Sequence, residues 1–138
     1  MEKACRFVRY LSREEIIEIN ISQIFSHGGL LNAAGRIRTP NSFEYLLSQV
    51  QNDQYFPTLS EKAALYPCKI IQNHIFYDGN KRTGMTCLLF FLALNGRNLY
   101  TKLSEDETVE LPLKIANNEF DLADVSGWIE EKLTNRPF

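Results

Sequence analysis

The stretch H-I-F-Y-D-G-N-K-R-T-G-M-T-C-L-L-F-F-L-A-L, residues 74–94, joins two segments of opposite character. In its second half, Met85, Leu88, Leu89, Phe90, Phe91, Leu92 and Leu94 leave no polar face on a helical wheel. Such a helix is predicted to lie at the centre of an all-α domain, with Asn95-Gly96 as its C-cap. The first half is polar. Asp78-Gly79-Asn80 is turn chemistry, Gly79 supplying the freedom for positive φ, so the turn stands at the N-terminus of the central helix. One imidazole, one carboxylate, one amide and two cations fall between His74 and Arg82.

Upstream, Ser12 followed by Glu15 is a capping-box signature, and Ile16, Ile17, Ile19, Ile24 and Phe25 recur at helical spacing, predicting a first helix over residues 13–25. Gly28-Gly29 end it. The segment from Gly28 to Pro40, rich in Gly, Ala and Asn, reads as a loop or a short flap, with Arg36 and Arg38 solvated. Asn41 with Glu44 is the expected N-cap pair of a second helix, which carries Phe43, Leu46, Leu47 and Val50 and ends near Asp53. Ser60 is the expected cap of a third, bearing Ala63, Ala64, Cys68, Ile70 and Ile71, in which Pro67 predicts a kink or a break. Downstream of the central helix, residues 98–101 read as extended. Ser104 with Glu107 then opens a fifth helix through Val109, Leu113 and Ile115 that must accommodate Pro112. Asp121 with Asp124 opens a sixth, carrying Val125, Trp128, Ile129 and Leu133. The expected architecture is all-α, a compact bundle of about six helices around a buried central one, with a short β flap as an accessory.

With 138 residues, 44% of them hydrophobic, the chain is long enough for one domain, residues 1–138, that needs no disulfide or structural metal. A formal charge of -2 lacks the broad positive footprint of a nucleic-acid binder, so any phosphate chemistry is local. Cys5, Cys68 and Cys87 are odd in number, far apart and outside any C-x-x-C spacing. They read as reduced thiols of a cytoplasmic protein. The N-terminus carries Glu2, Lys3 and Arg6 but no apolar signal region, and the longest apolar run, residues 87–94, is too short to span a bilayer.

A helix N-terminus carries unpaired N–H groups and a partial positive charge, so the turn from Gly79 to Thr83 is suited to phosphate oxygens, with Lys81 and Arg82 adding charge. Asp78 beside it is placed to hold Mg2+, which takes one or two carboxylates together with substrate phosphates. His74, four residues earlier, is the candidate to take a proton from an attacking hydroxyl. Together these are the parts for phosphoryl or nucleotidyl transfer. Taken singly, each part has a plainer reading: a capped histidine, a common turn, a solvated helix start. Against that, Lys and Arg in a first turn oppose the helix dipole by some tenths of a kcal/mol each unless an anion sits there.

The same stretch resembles the signature of the Fic/Doc family, H-x-F-x-[DE]-G-N-G-R-x-x-R. His74, Phe76, Asp78, Gly79, Asn80 and Arg82 match it residue by residue. Lys81 replaces the third glycine and Met85 the final arginine, and both departures match the death-on-curing (Doc) branch, H-x-F-x-D-[AG]-N-K-R-T. The resemblance extends weakly from the Leu11-Ser12 helix start to residues 119–122. It implies a Fic fold in which His74 is the general base, Asp78 the Mg2+ ligand, and Gly79, Asn80, Lys81 and Arg82 the ATP-phosphate site, with Phe76 an anchor for the loop. It further implies a toxin that phosphorylates a protein hydroxyl, in Doc a threonine of elongation factor Tu, rather than transferring AMP as glycine-bearing Fic proteins do. No glutamate is followed by Gly or Asn, as the family's self-inhibiting helix requires. The resemblance therefore implies a separate antitoxin peptide, docked as an amphipathic helix. AMP transfer at the same site, and a catalytically silent binding module on the same fold, are the alternatives.

Overall fold

The structure, a computed structural model, describes residues 7–134, so Cys5 and the other extreme terminal residues lie outside the described residues. Within them the chain forms α1 (Arg13–His27), α2 (Pro40–Gln49), α3 (Leu59–Gln72), α4 (Asn80–Leu94), α5 (Glu105–Ala116) and α6 (Leu122–Thr134). Single 3-10 turns at Leu31–Ala33 and Tyr100–Lys102 interrupt the connections. The protein is all-α: among the described residues the one β feature is an isolated antiparallel bridge between Ile37 and Phe76. No helix among them is long and apolar enough to cross a membrane.

The helix starts follow local capping chemistry, three times where the spacing predicts it. Ser12 with Glu15 and Ser104 with Glu107 close reciprocal capping boxes on α1 and α5. Asp121 and Asp124 exchange bonds of 3.0 and 2.9 Å ahead of α6. Two expected caps are displaced. α2 starts at Pro40 behind Thr39, because proline at the first helical position has no N–H to leave unpaired, and Asn41 and Glu44 lie inside the helix. α3 starts behind Thr58, whose capping box with Glu61 precedes Ser60, and Ser60 donates instead to Glu130 of α6 at 2.6 Å. Of residues 98–101, expected extended, Tyr100 and Thr101 belong to the second 3-10 turn, and Leu99 before them has helical φ and ψ.

The centre is a pair of helices. α4 packs most extensively on α3 and then on α1 and α5, while α3 also carries α2 and α6. α3 is buried without a break over residues 62–68, and Pro67 lies inside the continuous helix instead of ending it. The close approach is made at Gly84, where a Cβ would stand 2.9 Å from Pro67 Cα. α4 is not enclosed on every side: Phe90 is 39% exposed and Leu89 only partly buried. Phe25 on α1 and Val109 and Leu113 on α5, expected in buried stripes, are likewise exposed. Lys62 is the one buried cation among the described residues, and its ammonium group donates to Val50 O at 2.9 Å and Asp53 Oδ1 at 2.7 Å. It therefore ties the end of α2 to α3 with its charge compensated.

Candidate active site

His74 follows the last turn of α3 with φ 48, one of two non-glycine residues among those described with positive φ. Its N–H bonds to Ile71 O at 3.3 Å and the next N–H, of Ile75, to Ile70 O at 3.2 Å, so it occupies the post-helical position that glycine usually fills. A histidine there costs about 1–2 kcal/mol of backbone strain, and the side chain it presents is exposed to solvent. Strain held at a specific side chain marks a candidate for function.

Ile75 and Phe76 then turn inward and are fully buried, Phe76 packing on Phe43 with ring centroids 5.9 Å apart. The loop closes on Asn80, whose side-chain oxygen accepts from Phe76 N at 2.9 Å while its amide donates to Phe76 O at 2.8 Å. The Asn80 side chain thus shapes the turn, and what it offers outward is its backbone N–H. Gly79 holds φ 77 as the N-cap residue of α4, which has no side-chain cap and no acidic residue in its first turn. The N–H groups of Asn80, Lys81 and Arg82 accordingly have no acceptor inside the helix. The Lys81 and Arg82 side chains are exposed, Arg82 donating to Gly28 O at 3.4 Å.

Both Asp78 oxygens are oriented. Oδ2 accepts from Leu30 N at 2.7 Å and Oδ1 from Gly79 N at 2.9 Å. Gly29 is what lets the chain come this close: with φ +143, it would place a Cβ 2.7 Å from Asp78 Oδ2. A carboxylate with two oxygens retains lone pairs beyond these bonds and fits a divalent cation shared with substrate phosphates. Among the described residues no group of three or more His, Cys, Asp or Glu could hold a metal ion by itself.

The segment from Gly28 to Pro40 lies along the motif loop. Arg38 N bonds Ile75 O at 2.6 Å and Tyr77 N bonds Arg36 O at 3.3 Å. The expected β flap is therefore reduced to one bridged limb, whose Arg36 guanidinium stacks 5.3 Å above the Tyr77 ring. On the other side of α4 a cavity of about 940 Å³ begins at Lys81 and Arg82 and runs between α4 and α5 over Met85, Leu89, Val109 and Leu113. His74 and Asp78 are outside its lining, so the two cations stand between the motif loop and the groove. Met85, where the common family pattern has arginine, is 5% exposed and brings no charge to the groove floor.

Sequence spacing brings His74, Asp78, Gly79, Asn80, Lys81 and Arg82 to one loop and helix start. It misses three residues that the fold brings to them: Asn20, Gly29 and Leu30. Asn20 is fully buried on α1 and donates to Asp78 O at 2.9 Å and Thr83 Oγ1 at 3.0 Å. A polar residue midway between Ile16 and Ile24, on a stripe otherwise apolar, was the available signal.

An anion-ready helix start, one oriented carboxylate and one strained histidine stand together on a single loop. The Fic/DOC family model matches residues 10–92, more than half of the chain, and the protein belongs to that family. It is also similar to "Protein kinase doc" of Escherichia phage P1, 28% identical over 122 residues that cover 86% of this chain and 91% of the relative.

Proposed function

We propose that this protein is a Doc-like toxin, a cytoplasmic Mg2+- and ATP-dependent protein kinase that phosphorylates a hydroxyl of a target protein. The observation that carries this reading is Lys81 with Met85 at the α4 start, in the positions where the AMP-transferring pattern has glycine and arginine. The similarity to a protein named as a kinase supports it.

In this reading the first-turn N–H groups of α4, with Gly79, Asn80, Lys81 and Arg82, hold the ATP phosphates. Asp78 would hold Mg2+, which would supply neutralisation of charge on the phosphate oxygens. His74 accepts the proton of the target hydroxyl as its oxygen attacks the γ-phosphorus, and the bond to the bridging β–γ oxygen breaks to release ADP. Elongation factor Tu is the first target to test. The groove beside Lys81 and Arg82 is the seat proposed for an antitoxin peptide, entering as an amphipathic helix with its apolar side on Leu89, Val109 and Leu113.

The test is incubation of protein, target and Mg2+ with ATP labelled separately at the α and γ positions. Label from γ alone on the target is expected. Label from α alone makes the enzyme an AMP transferase. Growth arrest on expression is expected to disappear in His74→Ala and Asp78→Ala, and arrest undiminished in both variants makes the protein a binding module.

A further inference from the structure

We infer that Asn20, outside the motif, is the positioning residue that sets the Asp78–Gly79 peptide and thereby both the phosphate cradle and the metal-holding carboxylate; this rests on the reading just proposed. Its amide is engaged at both ends. Nδ2 donates to Asp78 O at 2.9 Å and to Thr83 Oγ1 at 3.0 Å, and Oδ1 accepts from Gly35 N at 2.8 Å. A carbonyl can only accept and a backbone N–H can only donate, so the partners fix which end of the amide is which. Three separate pieces of the site meet on one side chain: the motif loop, the first turn of α4 and the flap.

The effect on the site follows from peptide geometry. In a trans peptide the C=O and the following N–H lie in one plane and point in opposite directions, and no cis bond occurs among the described residues. With the Asp78 carbonyl held inward by Asn20, the Gly79 N–H faces outward, where it meets Asp78 Oδ1 at 2.9 Å. Gly79 sits against the same amide, since a Cβ there would be 3.4 Å from Asn20 Nδ2. Without that donor the peptide, hinged on a glycine, is free to rotate. Rotation turns the Asp78 carbonyl toward the bound phosphates and takes the N–H away from the carboxylate. The Gly35 bond extends the control to the flap: the residue that orients the cradle also pins the segment beside it.

The experiment uses 15N-labelled full-length protein, native and as Asn20→Ala, with Ser60→Ala as the control that removes a buried hydrogen bond, to Glu130, away from the site. In native protein the Gly35 amide is expected to exchange more slowly than that of Gly29. In Asn20→Ala the Gly79 amide resonance is expected to move, Gly35 exchange to accelerate by about tenfold or more, and the Kd for ATP with Mg2+ to weaken at least about tenfold. Exchange at Ile16, Ile24 and the α3 amides should stay at native rates, which separates positioning from unfolding. Ser60→Ala is expected to keep the Kd within about twofold. The inference is overturned if Gly35 exchanges as fast as Gly29 in native protein. It is also overturned if Asn20→Ala leaves the Gly79 resonance in place, if its Kd stays within about twofold of native, or if Ser60→Ala weakens binding equally. If native protein binds no ATP with Mg2+, the proposed kinase reading fails, and the Gly79 and Gly35 amides still decide whether Asn20 sets that peptide.

Discussion

At the scale of single residues, the site depends on groups with no chemistry of their own. Gly29 is the sharpest case, because a Cβ there would stand 2.7 Å from Asp78 Oδ2 at a φ of +143. Gly29→Ala is expected to push the carboxylate out of place and lower Mg2+-dependent activity at least about tenfold, while the denaturation midpoint drops by no more than about 1 kcal/mol equivalent. Calorimetric titration of Mg2+ with nucleotide, beside a melting curve, checks both halves. The thiols make a second case. Burial pushes Cys68 up to about 12 from an ordinary value of 9.0, and pushes fully buried Cys87 up as well. A raised value in the folded state means that the thiols contribute stability in full below about pH 9 and lose it as pH rises and the unfolded chain ionises. Both should resist a thiol reagent at about pH 8 until denaturant is added, and the denaturant midpoint should fall above about pH 9. A midpoint flat to about pH 10.5 contradicts this. The motif residues were legible because their spacing is local and dense. Asn20 and Gly29 were not, because their partner Asp78 lies 58 and 49 positions away and only the packed fold brings them together.

At the scale of elements, reciprocal caps can be read from sequence when nothing competes with them, as with Ser12 and Glu15 or Ser104 and Glu107. Where two candidates stand within a few residues, packing chooses. Thr58 caps α3 because Ser60, one turn face further, is drawn into the interface with Glu130. Pro67 similarly reads as a breaker from sequence. Inside the core its missing N–H is one lost bond, set against an unbroken buried face on α4. The α3–α4 crossing tests that balance. Gly84→Ala places a methyl 2.9 Å from Pro67 Cα and 3.3 Å from two Ile71 carbons, with backbone on one side that cannot turn away. The expected outcome is a loss of about 1–3 kcal/mol, although alanine is the better helix former. Equal or higher stability in a urea titration would mean that the two helices can separate without penalty.

At the scale of the whole molecule, the apolar surplus on α4 and α5 explains where the single-helix expectation fails. A helix with no polar face is expected to be enclosed, yet α4 meets α1 on one side, α3 behind and α5 on the other, and leaves Leu89 and Phe90 facing outward. On α5, Leu111, Pro112 and Ile115 pack inward, while Val109 and Leu113, one helical turn apart, form a second stripe 61% and 43% exposed. Leu89, Val109 and Leu113 line the same cavity, which reaches Lys81 and Arg82, while Phe90 lies over a separate pocket against α1. Apolar surface left unburied within reach of Lys81 and Arg82 is surface suited to a partner, and burying a Leu and a Val there is worth about 1.5–3 kcal/mol each. The double variant Val109→Asn and Leu113→Gln removes that stripe without adding charge near the phosphate site. It is expected to keep native stability within about 0.5 kcal/mol, since both side chains are exposed. It should still arrest growth, and it should escape rescue by a co-expressed antitoxin that neutralises the native protein. Rescue of the double variant at the same antitoxin level would move the inhibitor off this groove and leave α4's open face without a partner.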